Sequence, residues 1–243
     1  MSTSSETIAP PPTESASPLA TYFKVIASPS EAFATLGRVP MWGWAAIIGV
    51  ILTLVSTFLT LPSSLHYAHI AQEQQYSQMP AERAAAAREM MAKVPGWTFW
   101  IFGVIGGLVA PWIFWLIGAV VFLAGAALGG GEPRFKLAWV SAVNLYAIPA
   151  LGAIVGGAIL TLRGADSANA ATDLYALPSL AMPIHTSPKL AAFLYGFNVV
   201  NIWYYIVAVI AIEQTLKVSR GAAIATVVVL ALLFAGFAAV FAK

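Results

Sequence analysis

His66, His69 and Glu73 are the residues of this chain whose types and spacing could hold a metal ion. The pattern H-x2-H-x3-E places three side chains on one face of a helix, and its imidazole and carboxylate ligands suit zinc or another divalent cation with an open position. His185, in a later connector, could supply a fourth ligand. Histidines at a membrane interface need no metal, however, and our prediction is that the chain has no metal site and no cofactor.

Asn144, Asn198, Asn201 and Tyr205 are polar residues within apolar segments. The last three follow one another at i, i+3 and i+7, which is one face of a helix. At a rise of ~1.5 Å per residue, Asn144 and Tyr205 each lie roughly 10 Å from the same end of two antiparallel helices, so the two side chains could meet. We interpret this polar cluster as hydrogen bonds between helices. The alternative is a path for a polar ligand or an ion.

Small residues recur four positions apart in three apolar segments. Gly125 and Gly129 lie in one segment, and Gly152 and Gly156 lie in the next. The last segment has the same spacing in its alanines, which are Ala231, Ala235 and Ala239. Small residues let helices approach closely in lipid, so we predict packing within the chain, with a homodimer face as the alternative.

The composition indicates a membrane protein. Of the 243 residues, 60% are hydrophobic and only 9% are charged, and the mean hydropathy is +0.82; soluble domains carry about 25% charged residues. The chain has no cysteine, which excludes disulfides, thiol catalysis and cysteine-based metal sites. A net charge of +2 gives no footprint for nucleic acid. No serine elbow, phosphate loop or nucleotide fingerprint is present in the sequence, so we predict that the protein is not an enzyme.

Five apolar stretches are long enough to cross a bilayer, which takes about 20 residues. Their expected bounds are 42–61, 97–128, 137–162, 190–212 and 221–242. Because every backbone polar group in lipid must be bonded internally, all five are predicted to be helices. The predicted fold class is therefore all-α, a polytopic membrane protein whose five-helix transmembrane domain covers residues 42–243.

Two further regions precede the first span. Residues 1–18 are rich in serine, threonine and proline and are predicted to form a disordered polar tail. Residues 19–41 are predicted to form two short interfacial amphipathic helices. In the second, Ser28 is the predicted N-cap, Pro29 is the first helical residue, and Glu31 completes a capping box with Ser28. Such helices either lie in the plane of the lipid headgroups or pack on the protein itself.

Charged residues mark the ends of the spans. Glu213 and Lys217 are spaced i, i+4 and are predicted to form an ion pair that fixes the turn to Arg220. Glu132 and the cations that follow it are predicted to anchor the second-to-third connector in the same way. The cations on this side form a modest basic rim for anionic lipids, made of Lys24, Arg38, Arg134 and Lys136.

Lysine and arginine give only a partial guide to orientation, because six lie on each side of the membrane. The connectors on the side of the N-terminus are the short ones, and short loops carry most weight in the positive-inside rule. We therefore predict that the N-terminus faces the cytoplasm and that the C-terminus faces outside.

Several motifs carry a family resemblance. The segment FKVIASPSEAF at 23–33, followed by PMW at 40–42, resembles the opening of bacterial members of the Yip (Ypt-interacting-protein, Yip-one) domain family. The later motifs, in the same order as in that family, are FK at 135–136, YAIP at 146–149, FNVVNIWY at 197–204 and KVSRGAA at 217–223. The resemblance covers about residues 20–243.

The resemblance implies five spans, a cytoplasmic N-terminus, a bacterial inner-membrane location and no known catalytic chemistry. Eukaryotic relatives act in vesicle traffic with small Rab-type GTPases. Their Asp-Leu-Tyr-Gly-Pro motif, which lies near the first span, is missing here, and we treat Asp173-Leu174-Tyr175 in a later connector as a chance match. The GTPase partnership is therefore not carried over to this chain.

Together these features predict a non-enzymatic membrane scaffold or adaptor that binds lipids and other membrane proteins or associates with itself. One alternative is a small-solute or ion permease that uses Asn144, Asn198 and Asn201. A second is a metal-dependent membrane enzyme at His66 and His69. A continuous polar cavity that reaches Asn201 from one side favours the permease, whereas a dry centre packed with glycine favours the scaffold.

Overall fold

The structure, a computed structural model, describes residues 17–182 and 187–242. The helices within these ranges are α1 Pro18–Ala27, α2 Pro29–Arg38, α3 Gly43–Ser77, α4 Ala81–Ala92, α5 Trp97–Leu128, α6 Phe135–Leu145, α7 Ala147–Arg163, α8 Pro188–Tyr195, α9 Val199–Leu216 and α10 Arg220–Phe241. Five stretches are long and apolar enough to cross a membrane: Gly43–Ser77, Trp97–Leu128, Phe135–Arg163, Val199–Leu216 and Arg220–Val240. The predicted all-α, five-span fold class is confirmed. Most of the predicted tail lies outside the described residues.

The two ends of the bundle differ in what they carry. At one end, which we call the proximal face, the Glu132 N–H donates to the Leu216 carbonyl (2.7 Å) and joins the α5–α6 connection to the α9–α10 connection. Helix α2 lies against the same end, since a Cβ built on Gly37 would be 3.3 Å from the Gln214 carbonyl oxygen. The opposite end, the distal face, carries α4, α8 and two short 3-10 turns after α7.

Helices α1 and α2 form a hairpin that packs on the proximal face. Tyr22, Phe33 and Leu36 are almost completely buried against the bundle. Leu19 and Phe23 lie on the other side of α1 and are 48% and 58% exposed. The hairpin therefore packs on the protein, which is one of the two predicted arrangements, and it leaves a second apolar face exposed.

The predicted capping box at the start of α2 is wrong. Ser28 is the N-cap and Pro29 is the first helical residue, as expected, but the Ser28 side chain makes no capping hydrogen bond. The Glu31 carboxylate instead pairs with Lys24 at the end of α1. This ion pair closes the α1–α2 hairpin, which local helix-start rules do not anticipate.

The first span extends much further than the predicted residue 61. Helix α3 continues through Pro62 to Ser77, a length of 35 residues. At ~1.5 Å per residue the helix is roughly 50 Å long, whereas the hydrocarbon core is about 30 Å thick. Its polar distal third therefore projects beyond the membrane, where it forms a second hairpin with α4.

The third and fourth spans are each interrupted. The third consists of α6 and α7, which meet at Tyr146. The fourth was predicted as one helix over 190–212, but the chain leaves helical geometry at 196–198, between α8 and α9. Only Val199–Leu216 is long enough to be the crossing helix. Gly196 lies against α10, where a Cβ would come within 2.9 Å of the Ala235 side chain.

The predicted Glu213–Lys217 ion pair does not form. Lys217 is the residue after α9 and has a φ of 55°, in the left-handed region, so its side chain is no longer one helical turn above Glu213. The i, i+4 rule requires that both residues be helical. By contrast, Glu132 pairs with Arg134 (3.4 Å), as predicted, and Glu89 pairs with Lys93 on α4 (2.8 Å).

Candidate functional site

The break in the fourth span is held by a set of polar side chains. Asn198 is the N-cap of α9, and its Oδ1 accepts hydrogen bonds from the N–H groups of Val200 (3.0 Å) and Asn201 (2.9 Å). The Val199 N–H donates to the Pro178 carbonyl of the preceding connector (3.1 Å). The first turn of a helix leaves backbone donors without partners, and here they are satisfied although the turn starts inside the bundle.

The carbonyl of Gly196 is satisfied in the same way. It accepts hydrogen bonds from the Asn201 amide (3.2 Å) and from the Tyr205 hydroxyl (3.1 Å). The predicted face formed by Asn198, Asn201 and Tyr205 therefore does exist. Its hydrogen bonds, however, go to the backbone of the break and not to a neighbouring span.

Asn144 belongs to a different site. Its amide donates to the Met41 carbonyl (2.9 Å), in the α2–α3 linker, and to the Val140 carbonyl (2.9 Å). No hydrogen bond joins Asn144 to Asn198, Asn201 or Tyr205 in the described residues. The expected single polar cluster is therefore two separate sites, because Asn144 bonds to the backbone of α6 and of the α2–α3 linker, whereas Asn201 and Tyr205 bond to the backbone of the break in the fourth span.

A cavity of about 320 Å³ opens beside the break. Its walls combine uncharged polar groups with small residues: Ser56 and Thr60 of α3, Gly152, Gly156 and Gly157 of α7, and Asn198 and Asn201. The half-buried Asn201 has no donor to its carbonyl oxygen among the described residues. Because the lining carries no charge, the cavity suits a neutral group that brings hydrogen-bond donors.

A larger crevice of about 990 Å³ adjoins this cavity on the distal face, and Leu174 and Tyr195 line both spaces. Tyr195 stacks on Tyr175 with ring centroids 4.3 Å apart, at the boundary between the two. Burial raises the pKa of the Tyr175 phenol above its ordinary value. The crevice wall on α3 is rich in glutamine, with Gln72, Gln74, Gln75 and Gln78.

The predicted metal ligands lie on the distal part of α3, near this crevice. Glu73 does not turn toward a metal site, because its carboxylate accepts a hydrogen bond from the Arg88 guanidinium of α4 (2.8 Å). This bond raises the pKa of Arg88, whose guanidinium also lies 5.2 Å from the centre of the Tyr76 ring. Within residues 17–182 and 187–242, no three acidic or histidine side chains are grouped so as to hold a metal ion. His185 lies outside the described residues.

The glycine pairs pack against helices of the same chain. A Cβ on Gly125 would lie 2.2 Å from the Thr226 hydroxyl of α10, and one on Gly129 would lie 2.6 Å from the Ala222 side chain. A Cβ on Gly152 would lie 2.6 Å from the side chain of Val200 in α9. Gly156 differs, since the nearest side-chain atom would be 3.8 Å away across the cavity.

Two further polar contacts between helices were not predicted. The Ser141 and Thr215 hydroxyls lie 2.8 Å apart in the buried contact between α6 and α9, and the Thr53 hydroxyl lies 3.0 Å from that of Tyr146. Serine and threonine are common in membrane helices, where they bond to their own backbone. No pattern in the sequence therefore distinguishes Thr53, Ser141 and Thr215 from the other serines and threonines of the spans.

The comparisons with known proteins agree with the architecture. The family model of the Yip1 domain matches residues 23–241, which is nearly all of the chain. The chain belongs to the Yip1 domain family. The resemblance seen in the sequence motifs is thereby confirmed.

One curated relative is the membrane protein YknW of Bacillus subtilis (strain 168). The two proteins are 26% identical over 201 residues, which is 82% of this chain and 80% of the relative. No solved structure matches the chain. The family, the relative and the fold agree that this is an integral membrane protein.

Proposed function

We propose that this Yip1-domain protein is a non-enzymatic membrane adaptor that receives a segment of another membrane protein in its distal crevice. The observation that carries the proposal is the α3–α4 hairpin, which projects from the bundle beside a crevice of about 990 Å³. The Arg88–Glu73 ion pair and the Arg88–Tyr76 contact brace the hairpin. A braced projection next to an open crevice is suited to holding a partner.

The lining of the crevice indicates the chemistry of that partner. One wall is the glutamine-rich side of α3, and the other includes Ala192 of α8 and Ala238 and Ala242 at the end of α10. A partner that fits both walls has an apolar segment that continues into an uncharged polar one. The end of a transmembrane helix, where it leaves the lipid, has this character.

Site-specific photo-crosslinking in native membranes tests the adaptor. A photo-reactive residue in place of Gln75 faces the crevice, and one in place of Ile113 faces lipid from α5 as the matched control. We expect a discrete protein adduct at position 75 that is absent at position 113. Lipid adducts alone at both positions would contradict the proposal.

A permease is the second candidate, and the cavity that reaches Asn201 favours it. Because the chain has no cysteine, Asn201→Cys gives a single labelling site. A permease that alternates between two open states predicts that an impermeant thiol reagent reaches this cysteine from both faces of a proteoliposome. The adaptor predicts labelling from the distal face alone, since Trp115, Phe122 and Val143 fill the core toward the proximal face.

We propose that the protein lies in the bacterial cytoplasmic membrane with its proximal face in the cytoplasm. The short α5–α6 and α9–α10 connections on that face, together with the first residues of the helices that follow them, carry Arg134, Lys136, Lys217 and Arg220, in keeping with the positive-inside rule. Reporter fusions after residues 90 and 217 test this orientation. Activity of a cytoplasmic reporter after residue 217, but not after residue 90, is the expected result, and the reverse pattern would overturn it.

A further inference from the structure

An apolar groove of about 380 Å³ runs between the proximal parts of α5 and α10. Its floor is made by Gly125, Gly129 and Ala222, where the two helices approach closely. Its rims carry Val120, Leu128 and Val229, which are exposed on the outside of the bundle and therefore turned toward lipid. A groove of this shape and polarity fits a hydrocarbon chain.

Two cations lie near the proximal end of this groove, just beyond the residues that line it. Arg220 comes two residues before Ala222, and Lys217 is next to Val218, whose side chain would be 3.0 Å from a Cβ on Gly129. Both cations are exposed, and neither makes an ion pair within the described residues. Positive charge that the described part of the protein does not neutralise therefore lies close to the end of an apolar groove.

The neighbouring groups leave this charge in excess. Glu132 is already bonded to Arg134, and the half-buried Glu213 of α9 has no ion pair in the part of the chain that the structure describes. Among the described residues of the proximal face, six cations stand against three acids: Lys24, Arg38, Arg134, Lys136, Lys217 and Arg220 against Glu31, Glu132 and Glu213. On the distal face the described charges balance, with five of each sign: Arg83, Arg88, Lys93, Arg163 and Lys189 against Glu73, Glu82, Glu89, Asp166 and Asp173.

Local structure accounts for these two cations only in part. Lys217 follows the C-terminal end of α9, where the helix dipole favours a cation, but its φ of 55° is one that glycine adopts more readily. Arg220 is the first residue of α10, at the positive end of the helix dipole, where acidic residues are preferred. Helix formation therefore does not account for the charge of Arg220, and Lys217→Gly exchanges a dipole interaction for a backbone conformation that glycine adopts without strain.

We propose that the α5–α10 groove binds an anionic phospholipid, with an acyl chain along the groove and the headgroup phosphate against Lys217 and Arg220. The lipid phosphate is the anion present at the depth where spanning helices end. The occupant is a lipid and not a free phosphate, because the apolar groove continues directly from the cations. This site is independent of the distal crevice and of its partner.

The test measures lipid preference with the purified full-length protein. The protein in neutral detergent is mixed with equal amounts of phosphatidylglycerol and phosphatidylcholine, and the bound lipids are counted by native mass spectrometry. The test variant is Lys217→Gly/Arg220→Gln. Its matched control is Arg83→Gln/Lys189→Gln, which removes the same charge from the distal face. Each cation near an anionic lipid contributes about fivefold in affinity, so the test variant is expected to lose roughly 25-fold of the phosphatidylglycerol preference.

A second pair of variants tests the groove itself. Ala225 lines the groove and is exposed, so Ala225→Leu fills it without a clash inside the protein. We expect this variant to retain less of both lipids, whereas Ala110→Leu, on an exposed part of α5 outside the groove, retains them normally. Thermal unfolding of all variants in neutral detergent checks that they are folded.

Three results would overturn the proposal. The first is equal retention of the two lipids by the unmodified protein, and the second is an unchanged preference in Lys217→Gly/Arg220→Gln. The third is displacement of phosphatidylglycerol by sn-glycerol 3-phosphate at the concentration of the lipid, which would make the site one for a free phosphate ester.

Discussion

The proximal and distal parts of the bundle use similar residues but pack them differently. At the proximal end, a Cβ on Gly125 would collide with Thr226 at 2.2 Å, and Phe33 and Leu36 of the α1–α2 hairpin are fully buried. At the distal end, Gly156 faces a cavity with its nearest neighbour at 3.8 Å. Gly125 therefore brings two continuous helices together, whereas Gly156 leaves space beside the broken span.

The largest expected effect concerns the N-terminal hairpin on the proximal face. Phe33→Ala empties a fully buried aromatic site and should reduce the free energy of unfolding by about 3–5 kcal/mol. Phe23→Ala is the control, since Phe23 is 58% exposed and should change stability little. Unfolding in detergent is the measurement, and equal effects of the two substitutions would show that the hairpin does not dock.

Glycine substitutions test the contrast in packing directly. Gly125→Ala forces Thr226 and α10 to shift, which we expect to cost about 1–3 kcal/mol. Gly156→Ala adds a methyl group at ordinary contact distance and should be neutral or slightly stabilising. If thermal unfolding shows the same stability for both variants, the helices pack equally closely around Gly125 and Gly156, and the contrast between the two ends is wrong.

The break in the fourth span depends on Asn198. Asn198→Ala removes the cap from two N–H groups of α9 and should cost about 1 kcal/mol. Asn198→Ser keeps an acceptor at the same place and should recover most of the loss. Unfolding midpoints in detergent distinguish the two variants. An unchanged midpoint in Asn198→Ala would mean that the cap does not stabilise the break.

A smaller effect is expected from the two donors to the Gly196 carbonyl. Asn201→Leu alone should cost about 0.6 kcal/mol, because Tyr205 still donates to the same oxygen. The double variant Asn201→Leu/Tyr205→Phe leaves that oxygen without a donor and should lose more than the sum of the single variants. Additive losses in a double-mutant cycle would contradict a shared acceptor.

The smallest expected effect lies on the distal hairpin. Glu73→Gln removes an exposed ion pair, and exposed pairs contribute little, so the unfolding temperature should hardly change. Adding zinc or a chelator should leave both the parent protein and this variant unaffected. A zinc-dependent rise in unfolding temperature that Glu73→Gln abolishes would restore the metal site as a hypothesis.

Sequence patterns predicted the five spans because membrane thickness imposes a length and a composition that are visible residue by residue. They did not predict where α3 ends, because a proline such as Pro62 usually ends a helix and here it does not. They also did not predict the break at 196–198. The residues of the break were identified as a polar face, but their partners are backbone groups exposed by the break itself. Periodicity assumes a continuous helix and cannot predict such partners. The grooves and cavities arise from contacts between distant helices, such as Gly125 with Thr226, which spacing along one helix does not encode.

The docking of α2 against α9 has a consequence for the order in which the protein is made. The N-terminal hairpin leaves the ribosome first, but the surface that buries Phe33 and Leu36 includes a helix that is synthesised near the end. During translation the hairpin therefore lacks part of its docking surface. Its exposed Leu19 and Phe23 give it an apolar face that can bind the bilayer surface during this time. The contact between α2 and α9 can therefore form only after nearly all of the chain has been made.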